Sequence, residues 1–356
     1  MQEKMTSQQR VKTAIARQVP DRVPIMDGPW GATVRRWETE GLPQGKSPAD
    51  HFGYEFAFLS ADISPRFPVK VLEENDEYVV ETTSIGGVRR NHRDYSTTPE
   101  VIACPITGPD DWAPIRERLV PDIKRMDWAS SWAAYQTARE QGRYVVFAAG
   151  LGYDLLQGYV KSEQLLNLMA LEPEFVKEMV DVTSDLCLQT VKMMFEEGFH
   201  FDGVWIYNDM GYRNSSLFSP QMYRDIIAPA DTRRNDWFHG HGMQTILHSC
   251  GCVKGLIPSL IDAGFDCLQP LEAKAGMDLR ELKPLHGARI ALFGGINTML
   301  MEDPDDSRIE QEIREKFAVA KQGGGYLYHS DHSIPTDVSF EKYSFVMECV
   351  RKYGTY

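Results

Sequence analysis

A histidine and a cysteine two positions apart close an apolar run in Gln244-Thr245-Ile246-Leu247-His248-Ser249-Cys250-Gly251-Cys252. The run suits a buried parallel strand, and Gly251 breaks it. Residues 253–263 follow with Val253, Leu256, Ile257, Leu260 and Ile261 at helical spacing. Strand, sharp loop and helix in that order put His248 and Cys250 at the carboxyl end of a strand, where β/α barrels build their active sites. An imidazole and a thiolate at this spacing can reach one zinc ion. Such a pair also occurs as plain packing, so its company along the chain decides its weight. Cys252 adds a thiol, but it opens the next helix, where a side chain can turn away.

These groups need a scaffold that gathers strand ends. Strands are expected at residues 23–26, 55–60, 144–147, 202–207, 244–248, 266–269, 289–293 and 325–328. Helices are expected at 6–18, 33–40, 110–118, 128–141, 162–171, 173–197, 219–239, 253–263, 279–285, 307–322 and 343–353. Residues 69–90 differ in kind, with short β-rich runs between turns, and read as an antiparallel β-hairpin insertion. Eight strands alternating with helices predict an α/β fold, a (β/α)8 TIM barrel with an N-terminal helical segment, over residues 1–356 as a single domain. A doubly wound open sheet is the alternative, but no Gly-rich dinucleotide turn follows an early strand.

In a barrel the strand-end residues converge on one mouth. They are Asp27, Asp62, Tyr153 with Asp154, Asn208 with Asp209, His248 with Cys250, Gln269 with Glu272, Asn297, and Asp331 with His332. Carboxylates at such places often only cap the next helix. Together with Trp30, Trp205 and Tyr207 they suit a polar or metal-binding pocket. Asp62, Tyr153, Asp209 and Glu272 are the candidate catalytic groups. Trp30, Trp205, Tyr207, Asn208 and Gln269 are the candidates for substrate binding. His248 and Cys250 are the candidate metal ligands, with His332 or Asp331 from the last strand's loop as the third. Three protein ligands and one open position would define a catalytic zinc site.

Composition narrows the classes. The 356 residues are 42% hydrophobic and 25% charged, enough for a full core. A formal charge of -13 argues against a phosphate backbone and against an anionic membrane surface. No window reaches the length of a membrane-spanning helix, and Met1-Gln2-Glu3-Lys4-Met5 leads into a polar segment with no apolar signal core. Six scattered cysteines read as reduced thiols, which points to the cytoplasm.

Several of these stretches resemble the uroporphyrinogen decarboxylase superfamily. They are Pro20-Asp21-Arg22-Val23-Pro24, Ser60-Ala61-Asp62-Ile63, Gly152-Tyr153-Asp154, Cys267-Leu268-Gln269-Pro270-Leu271, Gly294-Gly295-Ile296-Asn297 and Asp331-His332-Ser333-Ile334-Pro335. The resemblance implies a single (β/α)8 barrel and one of two chemistries. Decarboxylases hold a many-carboxylate tetrapyrrole with an arginine-rich loop after the first strand. Here that loop reads Asp27 to Trp37, with Arg35 and Arg36 but without the family's arginine spacing. The other branch comprises cobalamin- or corrinoid-dependent methyltransferases, whose zinc is held by a His-x-Cys pair and a last-strand Cys. His248-Ser249-Cys250 matches the pair, while His332 stands in the last-strand place. The resemblance therefore implies a zinc-dependent methyltransferase closer to this branch. Its methyl donor or acceptor is a small molecule, a methoxylated donor or a thiol, and the direction stays open. The chain lacks the corrinoid-binding Asp-x-His-x-x-Gly signature, so a partner protein would carry the corrinoid, as methylcobalamin or cob(I)alamin. A decarboxylase-like lyase or other metal enzyme working without corrinoid remains an alternative, as does a metal-free binding barrel. A homodimer is left open.

Overall fold

Apolar residues alternate along the longer strands, and the two alternate sets bury on opposite sides. The structure, a computed structural model, describes residues 5–94 and 98–356. Strand β1 (Phe56–Leu59) is followed by an antiparallel digression of β2 (Val71–Glu74), β3 (Tyr78–Thr82), β4 (Val88–His92) and β5 (Glu100–Ala103). Then come β6 (Tyr144–Gly150), β7 (Gly203–Tyr207), β8 (Gln244–His248), β9 (Cys267–Gln269), β10 (Ala291–Phe293) and β11 (Tyr326–Leu327), with helices between them. The main sheet runs β1-β6-β7-β8-β9-β10-β11, every pairing parallel.

Residues 23–26 close it. Tyr328 N donates to Pro24 O (2.9 Å) and Met26 N to Tyr328 O (3.1 Å), while Glu55 N donates to Ile25 O (2.9 Å). The expected first strand is thus in place as the eighth stave of a (β/α)8 barrel. Only its Ile25–Tyr328 bridge has ladder form, because Pro24 has no N–H to offer.

Tyr144, Val146, Trp205, Ile246 and Phe293 belong to the inner cluster, together with Val11, Ala14 and Ile15 of the opening helix Ser7–Ile15. Val145, Phe147, Val204 and Leu247 pack the other way, beneath the outer helices. The opening helix plugs the amino end of the barrel: Gln8 N donates to Gly142 O (2.9 Å) just ahead of β6. Thr6 and Gln9 form its capping box. The plug leaves the carboxyl ends of the strands as the mouth.

Several elements depart from expectation, among them an unexpected short helix Pro48–Phe52 and an expected helix 110–118 that shrinks to Ala113–Arg116. The insertion is a four-stranded sheet, β2-β3-β4-β5, not a hairpin; all four β5 residues are exposed, so they carry no burial pattern to read. Gly152–Tyr159 is a helix that three nearby glycines concealed. The expected helix 219–239 is broken by a π turn at Tyr223–Ile227, where Pro229 lacks the N–H that residue 225 would receive.

Arg10 and Glu55 are both buried at the plug (2% and 1% exposed). The Glu55 carboxylate accepts from Arg10, from Arg22 Nη1 (3.0 Å) and from Ile25 N (2.7 Å), so it ties helix and closing stave to β1. Glu55→Ala leaves the Arg10 charge with Asp21 as its remaining ion-pair partner (2.5 Å). The expected loss is about 3–5 kcal/mol, read as a lower urea midpoint at unchanged m.

Candidate functional site

Strands β7, β8 and β9 end side by side, with Tyr207 paired to His248 and His248 to Gln269. Residues in register on parallel strands point to one face, so these three side chains gather at the mouth. The Gln269 side-chain carbonyl, an obligate acceptor, contacts His248 Nδ1. The proton therefore sits on Nδ1, and Nε2 keeps its lone pair. That nitrogen lies 3.5 Å from Cys250 Sγ and 3.6 Å from Asp209 Oδ1. Ligand atoms of Asp209, His248 and Cys250 all lie within 4.8 Å of one another. Tetrahedral zinc with bonds of about 2.0–2.3 Å spaces its ligands roughly 3.3–3.8 Å apart. The N, S and O donors present fit that ion.

The loop's shape follows from backbone contact. Gly251 adopts φ +75°, and a Cβ there would meet Gly211 C at 2.5 Å. Only glycine serves. Gly251 N donates to Glu272 Oε2 (2.6 Å) and Cys250 N to Asp209 Oδ1 (2.8 Å), which aims the thiol. Glu272 thus holds the loop from behind. Cys252 packs into the core, its N–H on Tyr212 O (2.7 Å), outside the trio.

Burial, then the charges of Asp209, Glu272 and Asp154, pushes the Cys250 thiol up, and burial pulls the His248 imidazole down. The raised thiol beside three carboxylates describes a site short of positive charge, while the lowered imidazole stays neutral, as a metal ligand must. A divalent cation would offset the carboxylates and deprotonate the thiol.

Asp154 shares this field: burial first, then Asp209, pushes its carboxyl up to about 7. A folded-state value above the unfolded one means the folded chain holds the proton more tightly. Stability of the metal-free protein is therefore expected to fall as pH rises from about 4 through about 7. Asp154→Asn should flatten that slope and be the more stable protein at pH 8. Urea midpoints of both proteins at pH 5 and pH 8 check this.

A cavity of about 280 Å³ opens over the trio. Of the residues expected from sequence, Trp30, Trp205, Tyr207, Asp209, His248, Cys250, Gln269 and His332 line it. Five others lie elsewhere, the expected catalytic Glu272 among them, since its carboxylate holds Gly251 N behind the loop. Asp62 is exposed, its carboxylate taking Ser64 N (2.9 Å). Tyr153 is buried against Phe218, ring centroids 5.2 Å apart. Asn208 is buried and accepts from Asp154 N (3.2 Å), against a Gly152 at φ +60° whose Cβ would collide with it. Asp331 is fully buried, with both oxygens taken by other loops: Thr298 N (2.9 Å) and Oγ1 (3.0 Å) on one, Ala273 N (3.0 Å) on the other. Asp331 is a brace, and the carboxylate placed beside His248 and Cys250 is Asp209. Sequence reasoning passed over His329 and Gly28, which also line the cavity. Parity held the signal: Leu327 faces the barrel interior, so His329 two positions on does too.

The model of the family described as uroporphyrinogen decarboxylase (URO-D) matches residues 151–353, more than half of the chain. The chain belongs to the URO-D family. Among curated relatives, the uroporphyrinogen decarboxylase of Mannheimia succiniciproducens is 26% identical over 201 residues, 54% of this chain and 52% of that protein. The methylcobamide:CoM methyltransferase MtaA of Methanosarcina barkeri is 26% identical over 153 residues, 42% of this chain and 41% of that one. The matches span about half the length of these relatives or less. A solved methyltransferase from Methanosarcina mazei superposes with a TM-score of 0.68 at 18% identity, over 98% of this chain and 99% of that one, which establishes a shared fold. Among the described residues of this URO-D family chain, no helix is long and apolar enough to cross a membrane.

Proposed function

We propose that this chain is a zinc-dependent methyltransferase that moves a methyl group between a small substrate and a corrinoid carried by a partner protein. The observation that carries the reading is the Asp209–His248–Cys250 trio opening onto a walled cavity at the barrel mouth. The likeness to MtaA supports it. The trio would hold the zinc, and His332, on the same cavity, is the candidate further ligand. Zinc there would supply Lewis acidity toward an oxygen or sulfur of the substrate. The chain's own residues do the rest. Gln269 fixes the His248 tautomer, Glu272 and Asp209 hold the Cys250 loop, and Trp30, Trp205 and Tyr207 wall the cavity against water. A donor set with a single thiolate is more Lewis-acidic than one with two, which favours a methoxylated donor over a thiol acceptor.

The decarboxylase alternative meets an obstacle in charge. No described lining residue is Lys or Arg. Arg36 is engaged by Glu40 (2.6 Å) and Thr336 O (2.6 Å), and Arg35 by Asp94 O. Purified protein is expected to leave uroporphyrinogen unchanged. The test of the proposal mixes zinc-loaded protein with cob(I)alamin and methyl ethers, and separately with methylcobalamin and thiols, following the cobalt spectrum. Methylation in the first mixture is expected. Silence in both, with the cognate corrinoid protein present, contradicts the proposal.

A further inference from the structure

His329 stands on the cavity wall, 6% exposed, with no part in the metal-capable trio. Its Nδ1 lies 2.6 Å from Ser330 O, a carbonyl that can only accept, so Nδ1 carries the proton. The same nitrogen faces Asp27 Oδ1 at 3.6 Å. Asp27 is buried and fixed by the hydroxyls of Tyr328 and Tyr343, each at 3.0 Å, by Ser330 and by Gly28 N (3.0 Å). The ring is thereby locked, and in the neutral imidazole Nε2 is left as the acceptor. No hydrogen-bond partner for it exists among the described residues. Gly28, also on the cavity, keeps the space before it clear: a Cβ at Gly28 would sit 3.9 Å from Nε2. A locked, unpaired acceptor at a pocket wall selects a ligand that brings a donor, because a partner lacking one leaves the site's lone pair desolvated and unmet.

The remaining wall restricts the ligand further. Trp30, Trp205 and Tyr207 offer aromatic faces, and no Lys or Arg among the described lining residues waits for an anion. The cavity, about 280 Å³, sits just under the roughly 300–1,000 Å³ usual for drug-sized ligands. We infer that His329 Nε2 is the acceptor for a free hydroxyl on the methyl donor, so that the preferred substrate is an uncharged aromatic methyl ether carrying a phenolic hydroxyl. This inference rests on the donor-side reading above and names its substrate class.

Calorimetry on zinc-loaded protein tests it with three probes: 2-methoxyphenol, 1,2-dimethoxybenzene and 4-hydroxy-3-methoxybenzoate. The first is expected to bind at least about tenfold tighter than the second, the factor for one hydrogen bond of about 1.4 kcal/mol, and also tighter than the anionic third. His329→Leu should bring the first ratio close to one at unchanged zinc content. Gly28→Ala, which leaves the imidazole intact, should weaken 2-methoxyphenol more than 1,2-dimethoxybenzene. Binding of none of the probes, a wild-type ratio near one, a ratio untouched in His329→Leu, or tightest binding of the benzoate each overturns the inference. The two readings fail separately. Selective binding without methylation of cob(I)alamin removes methyl transfer and leaves hydroxyl recognition standing. Methylation without selectivity removes this inference alone.

Discussion

Cys250→Ala is expected to take bound zinc from about one per chain to a small fraction, and to lower methyl transfer by more than about a hundredfold. Residues that merely orient metal ligands cost roughly 10–100-fold when lost, and Cys250 is placed as a ligand itself, so its removal should exceed that range. Apo stability should barely move. Burial and three carboxylates already keep the metal-free thiol protonated, so alanine removes no charge. What should vanish is the rise in melting temperature on adding zinc, because an ion bound only by the folded state stabilises it by mass action. Gln269→Leu is the graded companion: it frees the His248 Nδ1 proton and should weaken zinc about ten- to a hundredfold. A Cys250→Ala protein with full zinc and full activity would show that the trio is not the metal centre.

Asp331→Ala should do the reverse, costing stability and sparing the metal. The side chain is fully buried and satisfies two backbone N–H groups and one hydroxyl from two other strand-end loops. Alanine leaves all three donors without the carboxylate. At about 1–3 kcal/mol for each buried donor left unmet, a total loss of roughly 3 kcal/mol or more is expected. Urea unfolding reads the loss, and metal analysis of the folded fraction should still find zinc. Loss of zinc at near-native stability would return Asp331 to the ligand set.

The scaffold was more legible than the site. Each of the eight staves announced itself by an apolar run, closed by a polar group in six and by glycine in β6 and β10, including the one that Pro24 keeps from forming a full ladder. The exposed strand β5 and the helix Gly152–Tyr159 did not: the first has no buried face, and the second begins at a glycine whose need is set by Asn208 fifty-six positions later. His248 and Cys250 were readable because spacing and strand parity are local. Asp209 and Asp331 are both strand-end carboxylates, and nothing local separates them. Which one faces the metal-capable pair and which one braces loops depends on N–H groups supplied by distant segments, at Cys250 for one and at Ala273 and Thr298 for the other. His329 shared its stretch with two more conspicuous candidates, Asp331 and His332, although parity with Leu327 marked it.

The most direct measurement is the methyl-transfer rate from a methoxylated phenol to cob(I)alamin as zinc is titrated into stripped protein. The account predicts a rate that rises in proportion to occupancy, saturates at one zinc per chain, and stays flat in Cys250→Ala. A stripped protein that transfers the methyl group as fast as the loaded one, or a saturated one that transfers none with its corrinoid partner present, would contradict it.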